Sequence, residues 1–365
     1  MPEKRYKIIH VITTLGLGGA ERLVLDLMRF RDRENFDYEV ISMVRGGELE
    51  RDFQDSGVGI KILRKKTKLG LGIFIQLYNY FKEAKPNVVH THLFGADLWA
   101  GLAAHFARVP VIVKTEHNVN LDQGFFKKII KRLTAFVFKY FIAVSPSVAE
   151  HMIRAERVPE KKISVIYNGV DISRFQAKEG AGFSSPPVLI NVSRFEEQKG
   201  HKYLIRALKE IEKLPWTMRL VGNGSLRPEI EDMVKVLGLD ERVKFLGERR
   251  DIPKLLSEAD IFVFPSLWEG LGIAVLEAGA VGLPIVATKV AGISDVFSHA
   301  KNAVLVPPGN SKALADGLRW LIERPDEALS MGREARELVA RDFTAQNTAR
   351  RYEELYSCIK GKFGR

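Results

Sequence analysis

Short β-branched or apolar runs alternate with longer helix-patterned segments along the whole chain, and this alternation limits what it can fold into more than any other feature. Strands joined through helices return to the same end of a sheet and so pair in parallel. In the first half the strand candidates are Ile8 to Ile12, Tyr38 to Val44, Ile60 to Leu63, Asn87 to His92, Val111 to Thr115 and Phe141 to Val144. The second half continues with Val188 to Val192, Thr217 to Val221, Val243 to Leu246, Ile261 to Phe264 and Ile285 to Ala287. Two doubly wound α/β sheets fit this series better than one. The best joint is the run from Lys178 to Pro187, where glycine, serine and proline crowd together and periodicity vanishes. The expected division is a first domain over 1–180, a second over 181–345, and a closing amphipathic helix over 346–365 that can pack on either domain, packing back on the first being one of the two options.

Composition removes several classes. With 365 residues, 46% hydrophobic and 28% charged, the chain is neither disordered nor collagen-like. The lone cysteine, Cys358, cannot close an internal disulfide. Apolar runs break well before the roughly 18 residues that cross a bilayer, and Met1 to Lys7 lead straight into the first strand, so a cytoplasmic protein is expected. The net charge of +11 points to an anionic partner. It is lopsided: residues 1–182 hold 29 Lys+Arg against 20 Asp+Glu, whereas 183–365 hold 27 against 25. The excess gathers in Lys61 to Lys68 and in Phe125 to Phe141. In the latter, helical spacing puts Lys127, Lys128, Lys131 and Arg132 on one side and Phe126, Ile129, Ile130, Leu133 and Phe136 on the other, a pattern suited to an anionic membrane surface. An ordinary helix docked on its own sheet would look similar on its apolar side. No nucleic-acid-binding signature is present, so nucleic acid is not expected as a partner.

The first strand runs into Leu15-Gly16-Leu17-Gly18-Gly19-Ala20-Glu21 and then a helix pattern. Glycines between a strand and a helix start leave amides free for an anion, and the helix dipole favours one there. They also make any tight turn. The dinucleotide fingerprint would need a third glycine where Glu21 stands, and Arg45 occupies the place of its ribose-binding acid. An NADP-linked oxidoreductase is therefore the second choice, and a non-catalytic basic scaffold the third.

The most informative stretch runs from Phe264 through Pro265-Ser266-Leu267-Trp268-Glu269-Gly270-Leu271-Gly272 to Glu277. Here a buried strand breaks, and a helix starts near Gly272. Glu269 falls in the loop and Glu277 about two turns into the helix, with the amides of Gly270 to Ile273 between them at the helix start. A carboxylate suits vicinal hydroxyls because it accepts two hydrogen bonds, so paired acids around an amide nest can hold both ends of a nucleotide sugar.

Glu269, seven intervening residues and Glu277, continuing through Gly282-Leu283-Pro284, resemble the signature of the retaining family-four glycosyltransferases, "glycosyl transferases group 1". Gly16 to Glu21 is similar to that family's loop in the first lobe, Val144-Ser145-Pro146-Ser147 and Tyr167-Asn168-Gly169-Val170-Asp171 to its middle segments, and Ser193 to Gly200 and Val221-Gly222-Asn223-Gly224 to its donor site in the second lobe. The resemblance implies a GT-B fold, two Rossmann-like domains facing a central cleft. It also implies a metal-independent transferase that moves a hexosyl group from a UDP- or GDP-sugar to a lipid-linked or polysaccharide glycan of the cell envelope, with no resident cofactor.

By that resemblance Arg194 and Lys199 neutralise the diphosphate, Glu277 binds the ribose, Glu269 binds the transferred sugar, and Asn223, Gly270, Leu271 and Gly272 complete the donor site. Gly16, Gly18 and Gly19 approach the diphosphate from the first domain, where His117 meets the reacting sugar and His92 and Asp97 line the acceptor side. Arg194, Lys199, Glu269 and His117 form the catalytic set. No Asp-x-Asp motif occurs, and no metal-ligand spacing is present along the sequence. A related fold serves nucleotide-sugar epimerases, which release free sugar.

Overall fold

The computed structural model describes residues 5–63, 70–119, 124–177 and 182–363. These fall into two compact units, one formed by Met1–Asn168 with Ala345–Arg365 and the other by Gly169–Thr344. The division lies upstream of the expected joint, of which 178–181 are outside the described residues. Most of the Lys61 to Lys68 cluster, residues 64–69, is also outside them.

In the first unit the strands are β1 Tyr6–Ile12, β2 Phe36–Ser42, β3 Gly59–Ile62, β4 Val88–His92, β5 Val111–Glu116, β6 Tyr140–Ala143 and β7 Ile163–Val165. They form one parallel sheet in the order β3-β2-β1-β4-β5-β6-β7. The helices are α1 Gly19–Arg29, α2 Glu50–Asp55, α3 Leu71–Ala84, α4 Phe94–Phe106, α5 Phe125–Thr134 and α6 Pro146–Arg154. Strands such as β1 and β4 are buried along almost their whole length because helices cover both faces of a doubly wound sheet. Ile8, Ile9, Val11, Val88 and Val89 are fully buried.

The second unit has β8 Val188–Val192, β9 Thr217–Val221, β10 Val243–Gly247, β11 Ile261–Phe264, β12 Ile285–Thr288 and β13 Val304–Val306, again all parallel, in the order β10-β9-β8-β11-β12-β13. Its helices are α7 His201–Glu210, α8 Arg227–Val236, α9 Ile252–Ser257, α10 Ile273–Val281, α11 Ser311–Glu323 and α12 Pro325–Asp342. Trp216 is buried, donates its indole N–H to Ile211 O at 2.9 Å and carries the Arg242 guanidinium 3.6 Å above its ring. A buried aromatic of this size contributes roughly 2–3 kcal/mol of hydrophobic stabilisation.

The last helix, α13 Ala345–Phe363, packs against α1 and places Tyr352, Tyr356 and Ile359 in the first unit's core. Two strands, β7 and β13, were not expected: each has three residues, sits at a sheet edge, and is too short for a periodic signal. A second correction concerns α5. Lys131 is not on an exposed basic face but buried, its Nζ 2.8 Å from both Glu116 and Glu156, whereas Leu133 is 67% and Phe136 66% exposed. No described helix is long and apolar enough to cross a membrane.

Candidate functional site

In the second unit β8 and β11 are the neighbours at which the strand order reverses, the place where a doubly wound sheet opens a crevice beyond its strand ends. Both loops leaving that point carry expected site residues, and they are laced together. Leu267 N donates to Gln198 O at 2.7 Å, Gln198 Nε2 donates to Trp268 O at 2.7 Å, and the Lys199 ammonium donates to Glu269 Oε1 at 2.5 Å. Glu269 is 5% exposed and Lys199 half-buried. A lysine and a carboxylate far apart in sequence are thus one charge pair.

Glycine makes this proximity possible. Gly200 has φ +65°, and a Cβ there would stand 2.1 Å from Pro265 O; at Gly292, φ +82°, it would stand 2.4 Å from Gly270 O. The loops after β8, β11 and β12 therefore touch backbone to backbone, as only residues without a Cβ allow. Gly272, in the left-handed conformation, caps α10; Gly270 and Leu271 are buried just before it, and the first internal bond runs from Val275 N to Gly272 O at 2.9 Å. The preceding amides have no partner inside the helix and carry its positive dipole end. Glu277 sits half-buried in the second turn of α10. Asn223 O accepts from Phe195 N at 2.9 Å, which fixes the loop after β9 beside the loop after β8. Arg194 is exposed, and its guanidinium has no partner among the described residues.

Two polar side chains at this end were not anticipated. His201, the first residue of α7, stacks on Phe195 with centroids 4.2 Å apart, and its Nε2 lies 3.3 Å from Ser193 Oγ. Burial, then nearby Lys199, lowers its pKa to about 4, so the ring is neutral. Its Nδ1 and the Oγ of Ser266 are buried without a partner.

In the first unit the turn after β1 brings Gly18 and Gly19, both exposed, to the start of α1, with Gly16 half-buried. Glu21 lies buried in the helix's first turn and accepts from Thr14 Oγ1 at 3.3 Å, so an anion at this turn would share the helix dipole with a carboxylate. Gly47 closes the turn from behind, where a Cβ would stand 2.3 Å from Leu15 O.

His117 follows β5, half-buried, with its Nε2 3.2 Å from Nδ1 of His92. His92 ends β4 and is 0% exposed. Asp97 is buried in the first turn of α4, accepting from Thr91 Oγ1 at 2.7 Å and lying 3.5 Å from Lys114 Nζ. Burial raises its pKa to about 6 against the pull of Lys114. Burial alone would lower the pKa of Lys114, but Glu116 at 2.9 Å, then Asp97 and Glu156, hold it above the usual lysine range.

Strand pairing also gathers what sequence spacing keeps apart. His10 lies opposite His90 across β1 and β4, and with His92 the three offer ligand atoms within 4.8 Å of one another. All six ring nitrogens are engaged in hydrogen bonds among themselves, His117, Thr115 and Tyr356, which marks the group as a network rather than a set of open metal ligands. The signal was present in the sequence, since residues 90 and 92 share a strand face by their period of two.

The expected residues are thus gathered within each unit. Lys199 and Glu269 touch; Arg194, Asn223, Gly270, Leu271, Gly272 and Glu277 lie on the adjoining loops and helix. His117 touches His92, while Gly16, Gly18 and Gly19 form the turn after β1, and Asp97 belongs to the buried charge cluster around Lys114.

Comparison with known proteins agrees with this division. The family model "Glycosyltransferase Family 4" matches residues 17–174, and "Glycosyl transferases group 1" matches 173–338. The chain is 28% identical over 378 residues to the Escherichia coli UDP-Gal:alpha-D-GlcNAc-diphosphoundecaprenol alpha-1,3-galactosyltransferase, covering 96% of this chain and 97% of that protein. It is 25% identical to the Staphylococcus aureus capsular polysaccharide biosynthesis glycosyltransferase CapM, with 97% of each covered. Anabaena HepE, solved in complex with UDP and glucose, superposes with a TM-score of 0.86 at 23% identity over 97% of this chain and 100% of that one, a likeness of fold. An oxidoreductase or a non-catalytic scaffold does not fit these matches. Two Rossmann-like parallel-sheet units, matched in succession by the two models, make the chain a GT-B protein that belongs to the family 4, group 1 glycosyltransferases.

Proposed function

We propose that the chain transfers a hexosyl group, with retention of configuration and without a metal ion, from a nucleotide-diphosphate sugar such as a UDP- or GDP-sugar to a lipid-linked or polysaccharide glycan in cell-envelope synthesis. The observation that carries this reading is the Lys199–Glu269 pair at the switch point of the second unit, set beside the unpartnered Arg194 and the start of α10. Cations and a helix N-terminus at one point suit a diphosphate that gains charge as it leaves, a role Mg²⁺ plays elsewhere. In this reading Arg194, Lys199 and the amides of Gly270, Leu271 and Gly272 receive the phosphates. Glu277 accepts from the ribose hydroxyls, Glu269 from those of the sugar, and Asn223 borders the pocket. Gly16, Gly18 and Gly19 offer amides from the first unit, where His117 contacts the substrate.

In the reaction the bond from the anomeric carbon to the diphosphate oxygen breaks, and the acceptor oxygen bonds to the same face. The acceptor's proton passes to the departing diphosphate, so no protein nucleophile is required. The relatives support the acceptor class through their names, an undecaprenol-linked saccharide for one and a capsular polysaccharide for the other. Such acceptors meet membranes. On the first unit α4 packs against α3 and α5, and these helices with the turn that follows α5 leave Leu71, Phe106, Leu133 and Phe136 exposed along with Lys127 and Arg132, a mixed surface suited to peripheral contact with an anionic bilayer.

The test is a thermal-shift panel of UDP, GDP, ADP and their sugars with and without EDTA, followed by transfer assays that read the anomeric configuration of the product. One diphosphate should stabilise the chain equally in EDTA. Glu269→Ala and Lys199→Ala should each lower turnover by roughly 10²–10³-fold while the chain stays folded. Stabilisation that needs the metal, or wild-type turnover in either variant, overturns the assignment.

A further inference from the structure

Behind His117 a single file of hydrogen bonds crosses the first unit. Tyr352 OH lies 3.3 Å from Thr115 Oγ1, and Thr115 Oγ1 lies 2.7 Å from His90 Nε2. His90 Nδ1 is 2.5 Å from Tyr356 OH, which lies 3.3 Å from His10 Nε2. His10 Nδ1 is 3.0 Å from His92 Nε2, and His92 Nδ1 is 3.2 Å from His117 Nε2. His10, His90 and His92 are 0% exposed, and Tyr352 and Tyr356 are 1%.

The imidazoles are neutral. Burial lowers His10 to about 3 and His117 to about 4, and burial followed by neighbouring histidines puts His90 and His92 well below the ordinary value. A neutral imidazole has one N–H and one bare nitrogen, so each ring in the file that donates on one side must accept on the other. With each hydroxyl between two partners also handing its proton on, the file can point in only two directions as a whole.

Its far end decides between them. The Tyr352 hydroxyl has one partner among the described residues, Thr115 Oγ1. If Thr115 donated to it, the phenol's own proton would be buried without an acceptor, the costly case. If Tyr352 donates, every link is satisfied. Thr115 then donates to His90 Nε2, His90 Nδ1–H to Tyr356, Tyr356 to His10 Nε2, His10 Nδ1–H to His92 Nε2, and His92 Nδ1–H to His117 Nε2. All four histidines carry the proton on Nδ1.

We propose that this file holds His117 as a permanent Nδ1–H hydrogen-bond donor towards substrate, and that Tyr352, Thr115, Tyr356, His90, His10 and His92 are positioning residues for it. The proposal rests on the reading of His117 as a substrate contact. Its Nδ1 has no partner among the described residues. With Nε2 occupied by His92, His117 cannot take a proton from the acceptor and is no general base. It meets an oxygen lone pair, of a sugar hydroxyl or a phosphate, and discriminates against a group that presents only a donor. His92 thus serves the site through His117 rather than by touching an acceptor itself.

The experiment is a long-range ¹H–¹⁵N correlation spectrum of the full chain with ¹⁵N-labelled histidine at pH 7, in the absence of nucleotide sugar. His10, His90, His92 and His117 should all show the Nδ1–H pattern. Thr115→Val removes the hydroxyl that carries the direction from Tyr352 to His90 and leaves the Tyr352 proton equally unpaired whichever way the file points, so in it His117 should show both tautomers, and transfer should slow about tenfold in kcat with donor KM unchanged. An Nε2–H His117 in the wild-type chain overturns the proposal, as does a Thr115→Val chain with the wild-type tautomer and rate. The wild-type spectrum needs no donor sugar, so it stands or falls apart from the transferase reading.

Discussion

Gly200 shows how one residue holds the candidate site. It has φ +65°, and a Cβ would sit 2.1 Å from Pro265 O, whereas Gly238, at φ +67°, has nothing within 4 Å of the same position. The two share the cost of the left-handed conformation, and the contact is the difference. Gly238→Ala should lose roughly 1 kcal/mol. Gly200→Ala should lose about 2–3 kcal/mol and slow transfer as well, because the loop bearing Lys199 must retreat from the loop bearing Glu269. Equal losses in chemical denaturation would contradict the close approach. At this scale the site was legible wherever its chemistry rests on neighbours in sequence: the two glutamates around Gly270 to Gly272, and the Arg194 to Lys199 loop. What could not be read was pairing across the fold. Nothing in the sequence says that Lys199 donates to Glu269, or that His92 is covered on both sides by other imidazoles.

Elements were readable in proportion to their length. The central strands and α10 carry long, unmixed signals, but β7 and β13 have three residues each and take their conformation from the strand beside them. The helix α5 was visible, yet its faces were not. A lysine reads as solvated unless acids wait beneath it, and Glu116 and Glu156, from β5 and from just beyond α6, supply them for Lys131. The exposed surface of α5 is consequently mixed, with Lys127 and Arg132 beside Ile129 and Leu133. A mixed surface predicts membrane binding with two components. Cosedimentation with vesicles should rise with their phosphatidylglycerol content and fall several-fold in Leu133→Asp or Phe136→Asp. Binding that ignores anionic lipid, or that survives both substitutions, removes the membrane reading.

For the molecule as a whole, the buried neutral histidines predict how stability depends on pH. His10, His90, His92, His117 and His201 titrate below their ordinary value, so the unfolded chain binds more protons than the folded one on acidification. Their contribution is complete above about 6.5 and is lost as the pH falls towards about 4. Asp97 acts in the opposite sense: its pKa is raised to about 6, so its share is present in acid and is lost as the pH rises through that value. Five histidines outweigh one aspartate, and Tm should drop steadily between pH 6.5 and 4; a flat calorimetric profile over that interval would refute the balance.

The second unit also begins and ends at one place, where Val170 N donates to Phe343 O at 2.9 Å and Val170 bridges Thr344. It is an insertion in the chain of the first unit, between Asn168 and Ala345. During synthesis the ribosome therefore delivers every strand of the second sheet before it delivers Tyr352, Tyr356 and Ile359. The unit that emerges first is the last to be finished, and until then its histidines wait without the phenols that orient them.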